Sequence, residues 1–444
     1  MFEFTGKAKT LAYVLILVGI ITWVIGYMLN DANHTHDTEG HHAEMVSDNG
    51  HDHEATTAEH DHADHGEAVA HDEHAEHHLH QHENRPWAAL LVNSFFFMAL
   101  GLGALFFLAV QYAASVGWSA GLTRIMEALA LFMPFPLVII LVLMLLGHFH
   151  IHHLWHWMNP ELYVKGGEHY DEIIAGKEGF LNFGFFFARA LIYLAGWTLA
   201  AIWFRKNSLK EDEVGGDAYY RKNFRLGAIF LVFYGVTSST SAWDFIMSID
   251  THWFSTLFGW YTFAGVFVTS LAGMIMLTLY LKGQGYMDWV NENHLQDLGK
   301  FMFAFSIFWT YLWFSQFMLI WYSNIPEEVT YYMQRFGEYK LWFFLMLALN
   351  FAFPVLLIMS RDAKRTSGIL IFTSVFVLIG HWLDHYIMIM PGTVGDHYGF
   401  GLLELGPMIF YFGLYILVVF RNLSKAPLLQ KNHPMIHESK VFHI

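Results

Sequence analysis

The sequence predicts an all-α integral membrane protein: ten transmembrane helices, set as two parallel four-helix units plus two peripheral helices. Three observations carry this. Charged residues fill 14% of the 444 positions and hydrophobic ones 55%, whereas soluble domains carry about 25% charged residues. Ten apolar stretches each approach the roughly 20 residues that a helix needs to cross a bilayer core of about 30 Å. The chain also echoes itself at a separation of four stretches.

The first stretch, 11–29, is longer than a usual leader core, and "GYMLNDANH" offers no good small-residue cleavage site, so residues 1–30 are expected to hold a peripheral helix. Residues 31–86 follow as a His/Asp/Glu-rich loop. Stretches 87–113, 121–147, 180–204 and 224–247 make a first unit, 87–256. Stretches 257–281, 298–323, 340–360 and 368–390 make a second, 257–401. The tenth, 402–421, leads into a tail ending at 444. Basic residues stay on the cytoplasmic side of a membrane. With the N-terminus inside, 18 Lys and Arg fall inside and five outside, so both termini are expected in the cytoplasm and the His-rich loop outside.

The echo lies in paired motifs. "WHWMNPELY" (155–163) and "IWYSNIPEEVTYY" (320–332) both set aromatics and an Asn before a Pro-Glu pair. "AWDFIMSI" (242–249) and "WLDHYIMIM" (382–390) place Asp244 and Asp384 alike. Parallel repeats are common in membrane proteins; the alternative is chance similarity among aromatic-rich helix ends.

Composition also excludes chemistries. With no Cys, the chain can hold no disulfide, no Cys-ligated iron–sulfur cluster and no covalent c-type haem. Between Asp31 and Asn84 stand 15 acidic residues, 15 His and no Lys or Arg. That segment equals the whole-chain net charge of −15. It has too little apolar content for a core and is expected to be disordered. Near the ordinary His pKa of about 6.5 its charge would move toward neutrality. Metal binding there is expected to be adventitious, since no fixed ligand spacing defines a site.

Ionisable residues within membrane helices cost about 2.5–3.5 kcal/mol each at the helix centre on insertion scales, so they need a reason. The candidates gather toward the outer ends. His148, His152 and His156 would share one face if the third helix continues. Asp244 ends the fifth stretch, with Asp250 and His252 beyond. His381, Asp384 and His385 end the ninth, and Glu404 starts the tenth. Arg189 and Gln316 lie deeper. The inner side is expected to carry mostly Lys and Arg, with no matching set of His and carboxylates. Each candidate has a plainer reading. Histidines suit the headgroup zone, Asp244 could be solvated at a helix end, Arg189 could form a structural ion pair, and a His381/His385 haem site lacks further ligands.

"SAWDFIMSIDTHWFSTLFGWYTFAG" (241–265) and "WFSQFMLIWYSNIPEEVTYY" (313–332) resemble the NrfD/polysulfide-reductase-type membrane subunits. More closely they resemble the NrfD-like subunits of bacterial alternative complex III. The long loop after the first helix makes the chain most similar to the ActF type. The resemblance covers roughly 87–421. It implies a non-haem subunit of a quinol-oxidising complex, active only in assembly, in a bacterial inner membrane. Implied partners are a second NrfD-like subunit, an iron–sulfur subunit, multihaem and monohaem c-type cytochromes, and a terminal oxidase, with lipids around and no nucleic acid. Quinol, with menaquinol as the expected form, is the implied ligand; haem and iron–sulfur clusters would sit on partners. Quinol oxidation releases two protons, and His or buried carboxylates can accept them. Asp244, His148 and the His381/Asp384/His385 group are thus expected to form one quinol or proton-relay site. Two rivals stand beside this: a zinc or other metal-ion transporter with a His-rich loop, and a structural scaffold of a redox complex.

Overall fold

The computed structural model describes residues 1–48, 64–167 and 169–443, with side chains outside 31–80. The described residues are helical with no strand. Ten helices among them are long and apolar enough to span a membrane, so this is a multi-pass, all-α membrane protein. They are span 1 Gly6–Asn30, span 2 Gln81–Ala113, span 3 Trp118–His148, span 4 Phe183–Val214 and span 5 Ala218–Ile249. Span 6 is Phe258–Gly283, span 7 Glu292–Ser323, span 8 Lys340–Ile358, span 9 Ser367–Val394 and span 10 Leu402–Leu423.

All ten overlap the expected stretches. Their polar ends run further: span 4 continues to Val214 instead of 204, and span 7 starts at Glu292 instead of 298. The expectation of disorder over 31–86 is met differently. The helix of span 1 continues to Asp48 and that of span 2 begins at Asp64, so the described flanks are helical. Residues 49–63 lie outside the described residues.

Spans 2 and 6 form the buried centre. Span 2 packs on spans 3, 5 and 9, span 6 packs on spans 7, 9 and 5, and the two pack on each other. Exchanging spans 2–5 for spans 6–9 leaves this pattern unchanged, as the repeated motifs suggest. Close approach at the centre needs a small residue. A Cβ on Gly103 would stand 2.7 Å from the Val266 carbonyl oxygen, and nearby the Ser270 hydroxyl donates to the Leu100 carbonyl at 2.9 Å. Spans 1 and 10 pair at the side. There a Cβ on Gly406 would meet the Trp23 backbone nitrogen at 2.6 Å.

Prolines set the local breaks. Pro134 restarts span 3 after a turn at 131–133, where its missing N–H is harmless. Span 8 widens into a π turn over Ala348–Ala352 just before Pro354. The two Pro-Glu pairs of the repeat act alike: Pro160 opens the short helix Pro160–Tyr163 after span 3, and Pro326 opens Pro326–Phe336 after span 7.

Candidate functional site

Asp244 ends the helix of span 5 and is fully buried. Arg189, from the first turns of span 4, meets it with Nε at 2.9 Å and Nη2 at 2.7 Å. The Tyr193 hydroxyl, one turn along span 4, donates at 2.7 Å. The guanidinium also donates to the Phe180 carbonyl at 3.1 Å and lies over the Phe180 ring at 3.9 Å. Both ions are matched and desolvated, which makes a closed structural pair.

Asp384, the repeat counterpart on span 9, has a different shell. The Tyr261 hydroxyl of span 6 donates to one oxygen. The Trp309 indole N–H of span 7 donates to the other at 3.0 Å. His381 Nδ1 lies 3.5 Å from the same carboxylate, and neither ring nitrogen of His381 makes a hydrogen bond. Among the described residues, no Arg or Lys pairs with Asp384. A cavity of about 10 Å³ adjoins, lined by Tyr261, Gln316, Tyr331, Tyr332 and Arg335 among others; that is room for one water. Gln316 donates to the Tyr332 hydroxyl at 3.1 Å and accepts from Ser255 at 3.0 Å.

The expected single site is therefore not assembled. Asp244 belongs to spans 4 and 5, and Asp384 to spans 6, 7 and 9. His148, His152 and His156 do not share a helical face, because the helix of span 3 stops at His148. His150 turns left-handed (φ 56°) and Ile151 N–H bonds back to the Leu146 carbonyl at 3.1 Å, which terminates the helix. His148 is exposed and stacks on Phe183 at 3.8 Å. His156 is exposed in the turn beyond. His152 folds back beneath the helix end, with Nε2 on the Leu143 carbonyl at 3.0 Å.

The remaining candidates hold the structure together. Asp250 meets Arg335 Nη2 at 3.1 Å, and Arg335 also donates to the Ile387 carbonyl of span 9. His252 pairs with Asp171 at 2.5 Å on the surface. Burial opposes ionisation of Asp171, but the Ile174 and Ile173 amides and His252 outweigh it and hold its carboxyl below the usual range. Glu404 pairs with Arg85 at 3.1 Å and accepts the Gly401 N–H at 2.7 Å, capping span 10. His385 Nδ1 lies 2.6 Å from the His381 carbonyl and its ring packs on Phe95, so the two histidines do not present a joint ligand pair.

The opposite helix ends correct another expectation, because they do carry buried carboxylates and a His. Arg124 reaches Glu127 at 2.9 Å and Asp212 at 2.5 Å, and Arg205 reaches Glu127 at 2.6 Å. Gln430 of the tail donates to Glu211 at 2.9 Å, and the Lys431 N–H to Asp212 at 2.7 Å. His433 packs edge-on against Tyr220. Two carboxylates, Glu127 and Asp212, share two guanidiniums, and Glu127, Glu211, Tyr112 and Tyr220 each keep a buried oxygen without a hydrogen bond. Glu127 stands inside the expected third stretch and was legible as an ionisable membrane residue. Glu211 and His433 were not, since one needed the longer helix and the other the folded tail. Tyr193, Tyr261, Trp309 and Arg335 were missed because only the packing reveals their acidic partners.

His152 and His433 make stability pH-dependent. Burial pushes each down from the ordinary value to about 4. Between pH 6.5 and 4 the unfolded chain binds more protons at these positions, so stability is full above about 6.5 and falls as pH drops toward 4. Each can remove up to roughly 3 kcal/mol. The melting temperature in detergent should fall steadily over that window, and His152→Gln should flatten part of the slope; an unchanged slope would contradict the assignment.

The fold and these sites define a class: an all-helical multi-pass membrane protein with buried ionisable clusters at both ends of its helices. A scan against protein-family models and a search of curated proteins find no match to the chain.

Proposed function

We propose that the chain is a membrane subunit of a quinol:cytochrome c or quinol:oxidase electron-transfer complex, and that its own share is proton transfer. The observation that carries this is Asp384: a buried carboxylate held by Tyr261 and Trp309, beside the unbonded ring of His381, with no Arg or Lys partner among the described residues. Asp384 is held by neutral donors, so its protonation would strand no cation, whereas loss of the Asp244 charge would leave the Arg189 guanidinium unpaired. The adjoining cavity suits one water in a relay. A quinol ring needs a cleft on the order of a few hundred Å³, far more than this cavity of about 10 Å³, so the ring is not placed beside Asp384. The motif resemblance to NrfD-type subunits supplies the electron carriers: an iron–sulfur subunit and c-type cytochromes, with a second NrfD-like subunit alongside. The Lys/Arg bias supports a bacterial cytoplasmic membrane with both termini inside and the His-rich loop outside.

Purification from native membranes tests the reading. Expected is co-elution with c-type haem and iron–sulfur subunits, in a preparation that reduces cytochrome c with quinol. A chain that elutes alone and carries zinc across liposome membranes would overturn it.

A further inference from the structure

Spans 4 and 5 form a hairpin whose closed end holds a hollow of about 370 Å³. Helical spacing brings its lining together. On span 4, Trp203, Lys206, Asn207 and Lys210 recur at i, i+3, i+4 and i+7, which is one face. On span 5, Tyr219, Lys222 and Leu226 recur at i, i+3 and i+7. Three ammonium groups thus converge on one concave surface. Lys222 and Lys210 both lie over the Tyr219 ring, at 4.3 and 5.9 Å. Among the described residues no carboxylate pairs with any of the three lysines. Of the acids nearest in sequence, Glu211 bonds to Gln430, Asp212 to Arg124 and Asp217 to Arg221, and Glu213 forms no ion pair with these lysines.

Beyond the hollow the same two helix faces turn apolar and stay exposed. Trp203 is 51% exposed and Leu199, one turn deeper on span 4, is 45% exposed. On span 5, Ile229 continues the line of Lys222 and Leu226 and is 69% exposed. A cationic cradle at the end of a membrane hairpin, continued by an apolar track, matches a ligand with an anionic head and hydrocarbon tails. We infer that this hollow binds the headgroup of an anionic phospholipid, with its acyl chains along Leu199, Trp203 and Ile229.

Unpaired lysines in a basic pocket between membrane helices suit a phosphate headgroup. An ammonium is a point charge and needs no bidentate geometry, so three of them can share one phosphodiester. A free phosphate would use the same charges but not the track. A polypeptide partner would use the rim but has no need of the apolar track beyond it.

The test uses the full-length chain in detergent, titrated with phosphatidylglycerol or phosphatidylcholine and read by native mass spectrometry. Wild type should retain phosphatidylglycerol well above phosphatidylcholine, and millimolar inorganic phosphate should not displace it. The triple variant Lys206→Gln/Lys210→Gln/Lys222→Gln should lose roughly 100-fold in affinity, about a factor of five per lysine. The triple Lys→Arg variant should keep the binding. Leu199→Asp should weaken phosphatidylglycerol while leaving the lysines intact, which separates a lipid from a free anion. Equal retention of both lipids, displacement by inorganic phosphate, or an undiminished triple Gln variant overturns the assignment. So does a triple Gln variant that keeps phosphatidylglycerol but loses a partner subunit on native purification, since the surface would then be a protein interface.

Discussion

Asp244→Leu is expected to destabilise the protein by about 3–5 kcal/mol, the range for breaking one side of a buried ion pair. The pair is desolvated, and every strong contact of the Arg189 guanidinium points at Asp244, Phe180 or the adjoining aromatic rings. Removing the carboxylate leaves a guanidinium that cannot shed its charge. Arg189→Met should cost less, because a carboxyl left behind can take up a proton and still bond to Tyr193. The double variant Arg189→Met/Asp244→Leu should be more stable than Asp244→Leu alone, since well-packed apolar pairs often replace buried ion pairs without loss. Unfolding of the purified chain in detergent measures all three. If Asp244→Leu costs under about 1 kcal/mol, the pair is not the structural clasp its geometry describes, and the role of Asp244 must be sought in chemistry instead.

That asymmetry explains which parts of the molecule were legible in the sequence. Helix existence was legible because each span depends on its own composition: about 20 apolar residues in a row read the same from sequence or structure. The repeat was legible because the Pro-Glu pairs and the Asp positions recur locally. The site was legible only in its acids. Asp244 and Asp384 look equivalent in the motifs, yet one faces Arg189 and the other Tyr261 and Trp309. Those partners lie 55, 123 and 75 positions away, and no local pattern reports them. The three-histidine face failed for a different reason. A left-handed His150 ended the helix, and His is a less regular choice than Gly for that conformation. Glu127 is the opposite case, a carboxylate within an apolar stretch that the sequence displayed openly, though its two arginines come from different helices.

Asp384→Asn is expected to lower quinol-dependent cytochrome c reduction by roughly 10²–10³-fold in the assembled complex, within the range that a positioned proton-transfer group contributes. Asn keeps the shape and can still accept from Tyr261 or Trp309, but it cannot take a proton. The fold should survive, because the carboxylate leaves no cation unpaired when it is replaced, in contrast with Asp244. Asp384→Glu, which retains a titratable group, should recover part of the rate and displace the pH profile. His381→Gln and Tyr261→Phe act on the neighbours of the same carboxylate, so each should lower the rate less than Asp384→Asn. His148→Ala should change nothing, since that ring stacks on Phe183 at the surface. Turnover and proton release are measured together, with subunit content and melting temperature as controls. If Asp384→Asn assembles fully and both turnover and proton release stay at the wild-type level, the relay is wrong. Loss of assembly in both Asp384→Asn and Tyr261→Phe, with normal specific activity in whatever assembles, would make Asp384 a second clasp at the symmetry-related position, and the chain a scaffold. The two units would then differ only in the chemistry of the clasp: an ion pair between spans 4 and 5, and a neutral-donor bridge joining spans 6, 7 and 9.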